Sequence, residues 1–272
     1  MRSYPATIPV IAEPVPQELP DATARGPIHQ VAPDRIQLDV PGVGRVLLRA
    51  DGAASFDLAA GATEDDAAWL LGGPARQARR ILDGRFALAG AGVTIGGRAV
   101  ALLGRGASGK SVAAAALARR GHPVLADSAL EVDAGGERPR ALPTTAAPEL
   151  WPDVLGLLGL SEDEGETVRP ALRKRAYGFD AGSEAPLHAV VVLKRGSDHG
   201  ETTIRRLPGG QALSIVLQAT AMWPLVLPVG VGPQHFAWAV AIAGAASAAI
   251  VVSDRFDENV EAVADAVEEV AA

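Results

Sequence analysis

The run Gly104-Arg105-Gly106-Ala107-Ser108-Gly109-Lys110-Ser111 constrains this chain more than any other stretch. It fits G-x-x-x-x-G-K-[ST], the phosphate-binding loop pattern. Apolar Arg98–Leu103 precedes it and Ala-rich Lys110–Arg120 follows it, so the reading is buried strand, tight loop, helix. Each residue type has a physical reason. Glycines let successive N–H groups curl inward toward phosphate oxygens. The helix that follows adds the partial positive charge of its N-terminus. A lysine reaches the β- and γ-phosphates as a compact, mobile ammonium, and a serine hydroxyl suits Mg²⁺. The expected phosphate-binding residues are therefore Gly104, Gly106, Ala107, Ser108, Gly109, Lys110 and Ser111.

Composition sharpens the case for Lys110. The chain has 25 Lys+Arg, of which only Lys110, Lys174 and Lys194 are lysines. A background that favours arginine so strongly makes each surviving lysine worth a question. Net charge is −7, which argues against a general nucleic-acid binder. Most of it lies in residues 254–272, with seven acids and one arginine. That last stretch reads as an amphipathic helix over Asp257–Val270, with its acids on a solvated face or docking a basic partner. With no cysteine, disulfides, thiolate-bound zinc and thiol catalysis are excluded. The five histidines (His29, His122, His188, His199, His235) show no metal-ligand spacing. No basic region followed by an apolar run marks a signal peptide, so a cytoplasmic location is expected. The longest apolar stretch, Phe236–Val252, falls short of the roughly 20 residues a membrane span needs and reads as buried helix then strand.

Residues 1–33 carry seven prolines and are expected to be extended and irregular. Arg35–Val40 and Arg45–Arg49 read as a hairpin around Pro41-Gly42, with Ser55–Leu58 as a further strand. Glu64–Leu82 reads as a helix capped by Thr63 and broken by Pro74. From residue 85 the P-loop domain begins. Gly92–Ile95 and Arg98–Leu103 form a hairpin at Gly96-Gly97. Pro123–Ala126 is the strand after the P-loop helix, and Ala129–Asp133 reads as its hairpin partner. Glu149–Leu160 includes a short amphipathic helix. Leu187–Lys194 and Thr202–Arg206 are strands joined by a polar turn at 196–200. Gly209–Thr220 and Gln234–Ala246 are helices, and Ala248–Val252 is the last strand. The expected division is 1–33, a small β-rich part at 34–84, and a P-loop domain at 85–272.

Asp127 ends the strand Val124-Leu125-Ala126, which is where a P-loop protein keeps the acid that holds Mg²⁺ beside the loop serine. The strand before the loop is also unusual in being the return arm of a hairpin. Together with Arg119-Arg120-Gly121-His122-Pro123-Val124-Leu125-Ala126-Asp127, these features resemble the HPr kinase/phosphorylase family. The chain also resembles the shorter HPr-kinase-like proteins found with lasso-peptide and other modified-peptide biosynthesis genes. Pattern likeness extends through Leu150-Trp151-Pro152-Asp153 and through Val168–Arg175. The resemblance implies an α/β fold whose P-loop mixed sheet is like that of phosphoenolpyruvate carboxykinase, with a small β-rich N-terminal part. It implies an ATP- and Mg²⁺-dependent kinase acting on a serine hydroxyl of a peptide or small protein. Full-length HPr kinases are hexamers, so a homo-oligomer stays open, with no nucleic acid or membrane as partner.

Two positions depart from the family. Its Asp-Asp pair is Asp127-Ser128 here, and its histidine about fifteen residues before the loop is Ala89. The nucleotide grip matches while the groups that handle the acceptor proton differ. A nucleotide-binding module that docks a peptide or partner enzyme is therefore the alternative, with a small-molecule kinase as a third. Asp127 could serve both Mg²⁺ and the proton; Glu131 shares its strand face at i+4 but is expected to lie too far away. His122 is a weaker catalytic candidate. In the basic run Arg169, Arg173, Lys174, Arg175, Arg169 and Lys174 are the candidate catalytic cations beside Lys110 and Asp127, offsetting charge on the transferring group. The competing reading is a solvated basic face. Trp69, Trp151, Trp223 and Trp238 read as core or rim anchors.

Overall fold

The computed structural model describes residues 8, 10, 11, 13–169, 172–196, 202–253 and 260–272. Pro5, Pro9, Pro170, Ala171, His199, the rest of the turn at 197–200 and the expected helix start at 257–259 lie outside them. The chain forms two compact units, one of residues 1–86 with 222–235, the other of 87–221 with 236–272.

The first unit is built on an antiparallel meander of five strands: β1 (Ala24–Gly26), β2 (His29–Ala32), β3 (Arg35–Val40), β4 (Gly44–Arg49) and β5 (Ala54–Leu58). β1 and β2 lie inside the Pro-rich start, which is thus more regular at its end than the proline count suggests. Pro27 sits in the turn between them, where no ladder N–H is needed. Helix α1 (Glu64–Leu70) starts with a reciprocal capping box between Thr63 and Asp66. Pro74 does not break the helix. The chain widens into one π-helical stretch, Leu71–Ala75, and continues as α2 (Arg76–Leu82).

The second unit is a mixed α/β fold on a mixed sheet. Its strands are β6 (Ala87–Leu88), β7 (Ala91–Ile95), β8 (Arg98–Leu103), β9 (Val124–Ala126), β10 (Leu130–Asp133), β11 (Arg140–Leu142), β12 (Glu149–Leu150), β13 (Glu166–Arg169), β14 (Leu172–Ala176), β15 (Ala185–Arg195), β16 (Thr203–Arg206) and β17 (Ser247–Ser253). The helices are α3 (Lys110–Arg119), α4 (Gly209–Gln218), α5 (Gly232–Ala245), of which the part from Phe236 belongs to this unit, and α6 (Val260–Ala271). The main sheet runs β6-β10-β11-β15-β8-β7-β9, with β17 beside β15 and β16 beside β17. Parallel pairs β8–β15 and β15–β17 form its centre. Strands β12, β14 and β13 make a separate small sheet.

Three expectations change. β10 is not the hairpin partner of β9; it pairs β6 and β11, while β9 pairs β7. No α-helix forms in Glu149–Leu160. Trp151-Pro152 and the glycines at 156 and 159 give short 3-10 turns after β12. The apolar stretch from Phe236 is not a wholly buried helix, since Phe236 and Val240 are exposed on α5. Among the described residues no helix is long and apolar enough to cross a membrane.

Small side chains bring α3 against its neighbours. Ala113, Ala114, Ala115, Ala116 and Leu117 are all buried, as expected of a helix that is apolar on every side. Val93 and Val100 of β7 and β8 join the same cluster, as do Val263, Val267 and Val270 of α6. The acids of α6 meet a basic partner within the chain. Arg120 donates to Glu261 (2.6 Å), Asp265 (2.8 Å) and Glu268 (2.9 Å). His122 Nε2 lies 2.7 Å from Glu268 Oε1, so this histidine serves the helix contact and not the phosphate loop. Burial works against the charge of Arg120, but the bonds to Glu261 and Asp265 and the Glu268 charge outweigh it and raise its pKa. An Arg120→Ala variant is expected to be less stable by about 1–2 kcal/mol. A thermal melt would read this as a loss of roughly 2–8 °C.

Candidate phosphate-binding site

Strand directions assemble the site. β7 runs antiparallel to both β8 and β9, so β8 and β9 share one direction and end at the same side of the sheet. They are separated only by β7, about 10 Å in all. The glycine loop leaves β8 at Gly104 and Asp127 follows β9. The first turn of α3 spans the gap: Ser111 Oγ lies 2.9 Å and 3.0 Å from the two carboxylate oxygens of Asp127. Asp127 is buried, and its Oδ2 also accepts the Glu149 N–H at 2.8 Å.

The loop needs its glycines. Gly104 has φ +144°, and a Cβ there would stand 2.4 Å from Ser108 Oγ and 2.5 Å from the Leu193 carbonyl. Gly109 caps α3 at φ +85°, and Ala107 holds a left-handed φ of +59° despite its side chain. Nothing stands within 4 Å of a Cβ built at Gly106, so the loop is open on that side.

The donors present fit a phosphate chain. Ser108 N–H bonds to Arg105 O, and Ala113 N–H to Gly109 O. The N–H groups of Gly106, Ala107, Gly109, Lys110 and Ser111 meet no acceptor among the described residues. Ser108 Oγ is buried and also lacks a partner there. Orphaned donors gathered at a helix start form an anion-binding nest. Lys110 Nζ turns onto the carbonyls of Gly104 (3.0 Å) and Arg105 (2.9 Å). Burial lowers the Lys110 pKa; Asp127 pushes it back up, and the Lys174 charge lowers it further. Among the described residues no three His, Asp or Glu side chains gather around one point. A Mg²⁺ ion would thus rest on Ser111, Asp127, phosphate oxygens and water, which is the usual partition for this ion.

The chain spans 68% of its length in a structural match to the HPr(Ser) kinase/phosphatase from Coxiella burnetii, covering 92% of that protein. Identity is 12% and the TM-score 0.34, a likeness too loose to carry an argument about this chain. No family model matches the sequence. No curated protein matches it either.

The basic run separates by strand alternation. On β14, Lys174 shares a face with Leu172 and Ala176, while Arg173 and Arg175 point the other way. Arg175 donates to Glu162 Oε1 (3.4 Å) and to the Gly165 carbonyl (3.1 Å), which ties it to the acidic turn. Lys174 instead lies over the Trp151 ring, with Nζ 5.5 Å from the centroid. Arg169 is on β13 opposite Leu172, toward the turn end of this small sheet and away from β12. The structure therefore brings Lys110, Ser111 and Asp127 together, with Lys174 near enough for its charge to reach Lys110.

Trp151 and the Glu149 N–H were missed as parts of this site. The small sheet that delivers them joins residues about 25 apart in sequence through the register Leu150↔Arg175. Neither segment alone shows that pairing. Ser128, next to Asp127, is exposed and left-handed at φ +69°.

Proposed function

We propose that this chain is an ATP- and Mg²⁺-dependent kinase that phosphorylates a serine hydroxyl on a peptide or small protein. The observation that carries the nucleotide part is the meeting of Lys110, Ser111 and Asp127 beside a loop whose N–H groups have no internal acceptor. Serine and peptide specificity rest on the sequence resemblance to HPr kinases. In this reading the backbone from Gly104 to Gly109 cradles the phosphates and Lys110 neutralises them. Ser111 and Asp127 would hold the metal, and Lys174 supplies further positive charge. The nucleotide supplies the γ-phosphoryl group. Phosphoryl transfer depends mainly on positioning and charge stabilisation, which these residues provide.

Asp127 is poorly free to take the acceptor proton. Its oxygens already face the Ser111 hydroxyl and the Glu149 N–H. With Ser128 in the neighbouring place, this favours a second reading, a module that binds nucleotide and docks a peptide without rapid transfer. The chain is melted with and without ATP·Mg²⁺ and then incubated with γ-labelled ATP and peptides encoded beside its gene. A raised melting temperature with label on serine is expected. Stabilisation without label leaves the binding module, and no stabilisation by ATP removes both readings.

A further inference from the structure

We propose that Trp151 is a positioning residue that seats the Lys174 ammonium at the γ-phosphate end of the site, so that this pair distinguishes a nucleoside triphosphate from a diphosphate. The inference rests on the nucleotide reading above.

Lys174 comes from a different sheet than the loop it approaches. A lysine on an exposed strand normally samples many rotamers. Here the indole face lies under its ammonium at 5.5 Å, a separation at which ring and cation attract. Trp151 itself is 47% exposed, a poor place for so large a ring if packing were its only role. Its position is fixed from both sides. Leu150 pairs with Arg175 on β14, and Glu149 donates its N–H to Asp127 Oδ2. Trp151 is thus two residues from a direct bond to the carboxylate that faces the loop serine.

That geometry selects the outer phosphates. The nest of loop N–H groups serves phosphates that tri- and diphosphates share. Ser111 and Asp127 would hold a Mg²⁺ ion, which would neutralise charge on the outer phosphates. A cation seated on Trp151, two residues from the N–H that bonds Asp127, is held on the Asp127 side of the loop. Two ammonium groups held near one another repel, and a γ-phosphate between them would relieve that repulsion. A diphosphate offers less charge at that place.

The test measures Kd for ATP and for ADP in Mg²⁺ by calorimetry on the full chain. Variants are Lys174→Ala, Trp151→Leu, Trp151→Phe and the Trp151→Leu/Lys174→Ala double. Trp151→Leu and Lys174→Ala should each weaken ATP about three- to thirtyfold while ADP stays within about twofold. The double variant should be no worse than Lys174→Ala, and Trp151→Phe should keep part of the preference. Equal weakening of ATP and ADP, or additive losses in the double variant, would overturn the pair. If Trp151→Leu does not fold, Trp151→Phe and its double with Lys174→Ala replace it in the same comparison. A parent chain that binds neither nucleotide fails the underlying reading, and that result is distinct from a parent that binds both alike.

Discussion

A Lys110→Ala variant is expected to lose stabilisation by ATP·Mg²⁺ and to transfer phosphate at least about 10²-fold more slowly. The fold should survive. Lys110 Nζ bonds only to the carbonyls of Gly104 and Arg105, at the open side of the loop where water can replace it. The loop path is set by Gly104 and Gly109, and α3 is anchored by its buried alanines, none of which the variant touches. What goes is the ammonium that folds back onto the loop carbonyls. Charge-assisted hydrogen bonds are about twice as strong as neutral ones, so an ammonium redirected from these carbonyls to a phosphate would be a large part of the grip. Lys110→Arg should not restore activity, because a planar fork is longer than an ammonium and matches a different geometry. Thermal melts with ATP, paired with initial transfer rates, check both variants. An unchanged ATP shift in Lys110→Ala would exclude the loop as the nucleotide site.

The parts of the site that sequence revealed are those whose geometry is local. Gly96-Gly97 forces a tight hairpin, so β7 and β8 were visible as a pair. The glycine pattern and the alanines behind it define loop and helix within about twenty residues. Asp127 was legible because it ends an apolar strand just beyond a glycine-capped helix, with Gly121 at φ +87°.

What stayed hidden depends on which strands become neighbours. β9 and β10 are adjacent in sequence, with a turn between them, and hairpin pairing is the usual outcome. Here β7 already lies along β9, and Ser128 in a left-handed conformation sends the chain off to pair with β6. The same limitation hid Trp151. Its place under Lys174 depends on β12 meeting β14, and a two-residue strand carries no periodic signal. Glu149–Leu160 has helix-like spacing of apolar residues, yet Pro152 and the left-handed Gly159 at φ +56° confine it to 3-10 turns. The acidic tail misled for another reason. Its charge suggests solvent or a partner, and only the fold shows Arg120 among Glu261, Asp265 and Glu268.

A Ser128→Asp variant is expected to raise phosphate transfer about 10²-fold or more, the gain a placed general base provides. Position 128 is suited to the change. It directly follows Asp127, it is exposed, and its φ of +69° is one that aspartate tolerates better than serine. A new carboxylate there would not be buried, so it carries no desolvation cost that would disturb the fold. It would also be free of the bonds that occupy Asp127. The register Leu130↔Leu88 extended by one step sets Ala129 opposite Ala89. Ser128 and Ala89 therefore come together at one end of β6 and β10. Ala89 is half-buried, with its N–H on the Ala219 carbonyl, so a histidine there would need more room than the exposed change at 128 does. Initial rates of label transfer to the same peptide, with melting temperatures of both proteins, provide the test. A faster variant of equal stability would mean that the phosphate grip is intact and the proton acceptor is what this chain lacks. An unchanged rate, with nucleotide binding preserved, would mean that the site binds without being arranged for transfer.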